Sequence, residues 1–178
     1  MTDTSAVKDA NASSEANKSG RLRPMAVRRR AAARLASVQL GYSTDLTSQS
    51  LLEAVPAFLD VYAGDIARQL RVKKMDEEHF QALVSGVDSR KAELDTIIAD
   101  ALSDGWAMSR LARPELAILR AGVFELDSMP HIPARAVLSE YASLADAFQA
   151  DVAFVNAVLD RLARRFRVVE MSADVSKG

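Results

Sequence analysis

The sequence predicts an all-α fold, and three observations support that prediction. Apolar residues recur three and four positions apart along the long segments, which is the period of an amphipathic helix. No segment keeps the strict alternation of apolar and polar residues that is typical of a half-buried strand. Residues that favour helix starts stand just before these patterns, namely Pro24, Asp76, Pro114, Pro133 and Asp151.

Six helices follow in chain order, beginning at about residues 25, 50, 76, 114, 133 and 151. The first continues through Tyr42. The second reaches Tyr62 and either bends or begins at Pro56, because proline disrupts a helix interior. The third resumes its apolar pattern after Val87 and is expected to bend there. Residues 63–74 and 129–133 are predicted to form loops.

The fourth helix is predicted to be central. From Leu116 to Phe124 its only charge is Arg120, so it is apolar on nearly every side. Such a helix has to be covered by other elements all round.

Both ends of the chain are predicted to be flexible, with a disordered tail over residues 1–26, a folded domain over 27–170 and a flexible tail over 171–178. The first 20 residues contain almost no apolar bulk with which to offset the entropy lost on ordering. They also contain three acidic residues and no arginine, unlike a signal or transit peptide. No apolar run approaches the length of a membrane span. We therefore expect a cytoplasmic protein that does not bind membranes.

The distribution of charge points to nucleic acid. The formal net charge is −1, yet six arginines and no acidic residue lie between Arg21 and Thr44, which leaves 17 basic and 24 acidic residues elsewhere. Arginine grips phosphate with two donors and stacks on bases, so RNA is the first hypothesis. Arg30 and Arg34, four residues apart, are predicted to share an exposed flank of the first helix. The alternative is that these arginines only form a solvated face.

A second feature of this kind lies in the last helix. Phe154 is displaced from the apolar stripe and shares a flank with Arg161 and Arg165. An aromatic ring beside two arginines is typical of a base-stacking site. The alternative is a phenylalanine at the edge of the core.

The sequence predicts no catalytic residue, cofactor or metal. It contains no cysteine and no glycine-rich phosphate loop. Asp76 and His79 have the carboxylate–histidine spacing of di-iron bundles, but those sites need two such pairs. His131 lies between prolines and is interpreted as a loop residue. We therefore expect a binding protein and not an enzyme.

Four segments in order resemble the NusB family of bacterial transcription antitermination factors. The resemblance covers about residues 27–168 and is carried by Arg30 to Tyr42, Glu115 to Leu126, Ile132 to Ala145, and the run Phe154-Val155-Asn156-Ala157-Val158-Leu159-Asp160. It implies about seven helices in two roughly perpendicular bundles. It also implies binding of the boxA segment of nascent RNA together with NusE, a ribosomal small-subunit protein, in support of ribosomal RNA operon transcription. Other Nus factors and RNA polymerase would be indirect partners, and a homodimer is possible.

The resemblance also assigns residues. Those at the RNA side are Arg28, Arg29, Arg30, Arg34, Gln39, Tyr42, Arg120 and Phe154, and those at the partner side are Glu115 and Asp151. Three alternatives stay open: Tyr42 as a core residue, Glu115 as a first-turn glutamate that only favours the helix dipole, and Arg120 as a buried arginine paired with Glu140 or Asp127.

Two other functions fit the same pattern. One is the NusB-like domain at the front of certain RNA methyltransferases, although this chain has no segment resembling the catalytic half. The other is a protein-only adaptor whose arginines serve solubility.

Overall fold

The computed structural model describes residues 21–175 and is all-α in that range, as predicted. A short 3₁₀ helix, Met108–Arg110, precedes the fourth of seven α-helices. The helices are α1 (Met25–Thr47), α2 (Leu51–Gln69), α3 (Glu77–Ala101), α4 (Arg113–Ser128), α5 (Ala134–Ala147), α6 (Val152–Phe166) and α7 (Val168–Val175). Residues 1–20 of the tail predicted to be disordered, 1–26, lie outside the described part of the chain, and its last two residues, Met25 and Ala26, belong to α1.

The helices form two groups that meet at α4. In the first group α1 packs against α2 and α3, and in the second α5 packs against α6, which also contacts α7. Helix α4 touches α1 and α3 on one side and α5 and α6 on the other. All ten residues from Ala117 to Leu126 are buried, which confirms that the helix predicted from its long apolar run is the central one.

Two predicted caps are present. The Asp76 carboxylate accepts a hydrogen bond from the His79 N–H at 3.0 Å, and the Asp151 carboxylate accepts one from the Phe154 N–H at 2.9 Å. Each bond satisfies a backbone donor that the first turn of a helix leaves free. The bend predicted in α3 is also present, at Arg90, whose φ of −113° and ψ of 15° are not helical.

Three helix boundaries differ from the prediction, and the first is the end of α1, which continues past Tyr42 to Thr47. Helix α2 passes through the exposed Pro56 and ends at Gln69, so the first part of the predicted loop 63–74 is helical. Burial of Ile66 and Ala67 against the core accounts for this extension. At the C-terminus, residues 171–175 belong to α7 and not to a tail, because Met171 is buried.

Arg167, the residue between α6 and α7, connects this part of the chain to α4. Its guanidinium is buried and donates hydrogen bonds to the carbonyls of Leu126 at 2.6 Å and Met129 at 2.8 Å, near the end of α4. It also pairs with Glu170 at 3.1 Å, whose carboxylate accepts a bond from the Ala134 N–H. The C-terminal segment is thereby tied to the end of α4 and the start of α5, which the sequence pattern alone did not show.

Of the described residues, 21–175, no helix has the length and hydropathy required to cross a bilayer.

Candidate nucleic-acid interface

The start of α1 carries three successive arginines, Arg28, Arg29 and Arg30, which we call the arginine cluster. All three are half-buried. Arg28 donates hydrogen bonds to the carbonyls of Arg23 and Arg71, and Arg29 donates to those of Lys74 and Met75. These contacts anchor the first turn of α1 to the connection between α2 and α3.

Arg30 differs from its two neighbours. Within residues 21–175 its guanidinium has no hydrogen-bond or ion-pair partner. All five of its donors are therefore available for a phosphate.

The prediction for Arg34 is wrong as to its position. The side chain is only 4% exposed and lies in the interior, where its Nε is 3.0 Å from Oε2 of Glu125. The flank that carries it is covered because α1 lies between α2, α3 and α4. Arg34 is thus a structural residue in this fold and does not face solvent.

Glu125 is the centre of a buried polar cluster. Its carboxylate is fully buried and accepts hydrogen bonds from Arg34 and from the Tyr141 hydroxyl at 2.9 Å. The His79 Nε2 lies 3.4 Å from Oε1 of Glu125, and Glu140 lies 3.8 Å from Arg34. Burial would raise the pKa of Glu125, but His79 and the Arg34 guanidinium outweigh it and lower that pKa to about 2. The carboxylate is therefore ionised in the folded state at neutral pH.

Arg120 is also committed to acidic partners. Its side chain is buried, as expected for the alternative of a paired structural arginine. Its Nη1 lies 2.7 Å from a carboxylate oxygen of Asp45, and its Nε lies 2.7 Å from one of Asp95. The expected partners were wrong, because Asp127 pairs with Arg90 and Glu140 with Arg23. Arg120 thus links α4 to the end of α1 and to α3.

Gln39 and Tyr42 lie on the accessible stripe of α1. From Ala31 to Leu40 all residues are buried except Leu35 and Gln39, which are half-buried. Tyr42 lies on the same face of the helix and packs partly against the core. The packed side of Tyr42 fits the core alternative, and its role as an RNA contact stays a prediction.

A second group of predicted residues comes together at the start of α6. The Glu115 carboxylate accepts hydrogen bonds from the N–H groups of Ala112 at 3.0 Å and Asp151 at 3.3 Å. Asp151 in turn caps Phe154. The half-buried Phe154 ring stacks on Trp106, with ring centroids 5.1 Å apart and an angle of 28° between the planes. We call Trp106 and Phe154 the aromatic pair.

The sequence did not single out Trp106 and Arg110, which lie beside Phe154 in the structure, as candidate site residues. Trp106 is 46% exposed, and the Arg110 guanidinium carbon lies 5.2 Å from its ring centroid. A lone tryptophan followed one turn later by an arginine was the available signal. The contact between Trp106 and Phe154, 48 positions further along the chain, depends on how α6 packs and could not be read from this signal.

The family assignment follows from comparison with known proteins. The NusB family model matches residues 31–164, about three quarters of the chain. The chain belongs to the NusB family. Proteins named transcription antitermination protein NusB from Rhodopseudomonas palustris (strain TIE-1) and Rhizobium etli (strain CIAT 652) are 38% and 42% identical to it. These matches cover 81% and 78% of this chain and 84% and 88% of the relatives.

Solved structures agree on the fold. NusB from T. maritima has a TM-score of 0.62 at 21% identity, covering 76% of this chain and 90% of that one. A chain in a crystal structure described as a plectonemic RNA supercoil has a TM-score of 0.63 at 26% identity, covering 78% and 96%. Membership of the NusB family assigns the chain to transcription antitermination, which confirms that part of the function predicted from the resemblance.

Proposed function

We propose that this NusB-family chain binds the boxA segment of nascent RNA jointly with NusE. The observation that carries the proposal is the arginine cluster, which stands in a chain with a net charge of −1 and includes Arg30 with its donors unoccupied among the described residues. Single-stranded RNA requires such local positive charge, together with ring faces for its bases.

The two groups of residues supply these two requirements. The arginine cluster and the accessible stripe of α1, with Gln39 and Tyr42, offer phosphate and base-edge contacts. The aromatic pair offers ring surface. Arg34 and Arg120 are left out of the proposed RNA contacts because both side chains are buried and paired with carboxylates.

Replacing Arg30 with alanine tests the RNA contact. We expect weaker boxA binding, by about fivefold to tenfold, and a log–log salt slope that is shallower by about 0.7, because one phosphate contact is lost. Alanine is the best helix former and the side chain has no partner in the described residues, so the thermal midpoint should not fall. Binding can be followed by fluorescence anisotropy of a labelled boxA oligoribonucleotide at two salt concentrations.

The matched control is Arg164→Ala, which removes an exposed arginine from the last turn of α6, where it pairs with Asp160 of the same helix. It should leave both the affinity and the salt slope unchanged. Equal slopes for Arg30→Ala and the wild-type protein would exclude Arg30 from the RNA contact.

Glu115→Lys is expected to weaken NusE binding by more than tenfold. A basic partner that faces this carboxylate would then meet a positive charge, and charge reversal across an interface is costly. Isothermal titration calorimetry with NusE measures the effect. Glu115→Ala is the control, because it removes the hydrogen bonds to Ala112 and Asp151 as Glu115→Lys does but adds no positive charge. Comparing the two variants separates the effect of the charge from the effect of the lost hydrogen bonds. Equal losses for the two variants would contradict a direct charge contact.

A further inference from the structure

One member of the aromatic pair, Trp106, is a large side chain that remains exposed, and the stability of the fold does not require this exposure. Trp106 lies in the connection between α3 and α4 and keeps 46% of its surface accessible. Its ring is nevertheless fixed in place, since it stacks on Phe154 at 5.1 Å. An ordered tryptophan with an open surface is typical of a binding site, because its ring offers a large rigid contact area.

Two arginines lie around the connection that carries this ring. Arg110 lies against Trp106 at 5.2 Å, and Arg161 on α6 donates hydrogen bonds to the carbonyl of Ala101 and to Ser103. The bonds from Arg161 fasten the beginning of the connection to the helix that carries Phe154. Aromatic faces beside arginines are the combination with which proteins hold single-stranded nucleic acid, because bases stack on the rings and phosphates lie near the cations.

A chain of hydrogen bonds holds Phe154 in position. Glu115 on α4 binds the Asp151 N–H, and the Asp151 carboxylate binds the Phe154 N–H. The second oxygen of Glu115 binds the Ala112 N–H, so one carboxylate joins the first turn of α4 to the first turn of α6. The orientation of the Phe154 ring towards Trp106 thus depends on Glu115.

We propose that Trp106 and Phe154 form one base-stacking platform for single-stranded RNA, and that Glu115 is the positioning residue that sets its geometry through the start of α6. This inference rests on the RNA binding proposed above. It adds Trp106 as a contact residue, and it gives Glu115 a role in RNA binding that does not involve touching a partner.

The positioning role is tested in the free protein. Trp106 is the only tryptophan in the chain, so intrinsic fluorescence reports on the stack alone. Glu115→Ala and Asp151→Ala are expected to shift the emission to longer wavelength by several nanometres as the ring becomes more exposed. Asp151→Asn keeps an acceptor oxygen for the Phe154 N–H and should leave the emission at the wild-type position.

Glu53→Ala is the matched control, since Glu53 is likewise a glutamate in the first turn of a helix, α2. It should not change the emission. Unchanged emission in Glu115→Ala, with circular dichroism showing a folded protein, would overturn the positioning role.

The platform itself is tested by RNA titration. Trp106→Ala should weaken binding of a boxA oligoribonucleotide by about 5- to 150-fold, the range for loss of one stacked base. The salt slope should stay the same, because no phosphate contact is removed. Trp106→Phe keeps a ring and should bind within about threefold of the wild-type protein. Equal affinity in Trp106→Ala, or no quenching of Trp106 on saturation with RNA, would overturn the platform.

The two proposals fail in different ways. If the wild-type protein binds RNA with a slope that Arg30→Ala reduces while Trp106→Ala has no effect, only the platform is wrong. If the wild-type protein does not bind boxA RNA, the proposed function and the platform are both wrong.

Discussion

Replacing Glu125 with alanine is expected to lower the free energy of unfolding by about 3–5 kcal/mol. The substitution leaves the buried Arg34 guanidinium without its main carboxylate partner and the Tyr141 hydroxyl without an acceptor. An uncompensated charge in the interior costs more than the pair contributed, because the charge cannot regain its hydration. Urea unfolding followed by circular dichroism measures the loss.

Glu93→Ala is the control for that measurement. Glu93 also forms an ion pair with an arginine, Arg90, but at the surface, where its side chain is exposed. It should unfold close to the wild-type midpoint. Similar midpoints for Glu125→Ala and Glu93→Ala would contradict the importance of the buried cluster.

The same carboxylate predicts the direction of the pH dependence. Its pKa is about 2 in the folded protein and 4.5 in the reference state, so the unfolded chain binds the proton more tightly. Its contribution to stability, on the order of 3 kcal/mol, is complete above about pH 5 and is lost as the pH falls towards 2. The difference in unfolding free energy between wild type and Glu125→Gln should therefore shrink over this range.

Arg34→Ala is the second change with a large expected effect, a loss of about 3–4 kcal/mol in the free energy of unfolding. It leaves Glu125 as a buried carboxylate with Tyr141 and His79 as its remaining neighbours. The double variant Arg34→Met with Glu125→Leu removes both charges and should be less destabilised than the sum of the single variants Arg34→Met and Glu125→Leu. Additive losses would show that the two side chains are not coupled.

The RNA affinity of Arg34→Ala separates its role from that of Arg30. At a temperature where the variant is folded, boxA binding should stay within about threefold of wild type, because the side chain is 4% exposed. A loss as large as that of Arg30→Ala, with native circular dichroism, would return Arg34 to the RNA site.

The helices were predictable because their signals are local. The caps at Asp76 and Asp151, and the apolar run of α4, depend on residues within one or two turns. The position of Arg34 was not predictable in this way. Its spacing from Arg30 fixes a side of α1, but whether that side is covered depends on α4, whose Glu125 lies 91 positions away in the chain.

In the candidate site too, individual residues could be predicted from the sequence, but the contacts between distant residues could not. Phe154 and Glu115 could be named from the resemblance, yet their connection through Asp151 appears only when α4 and α6 are packed together. Arg120 was expected to need a buried partner, which is correct, but the choice of Asp45 and Asp95 depends on how α1 and α3 approach α4. Long-range packing decides both cases, and periodicity contains no information about it.

The most direct test of joint RNA recognition is the affinity of the wild-type protein for a boxA oligoribonucleotide with and without NusE, measured at two salt concentrations. We expect binding by the chain alone with a steep salt slope, and at least tenfold tighter binding when NusE is present. A scrambled RNA of the same length should show the slope but not the gain. Equal affinities for boxA and scrambled RNA, unchanged by NusE, would contradict joint recognition of boxA.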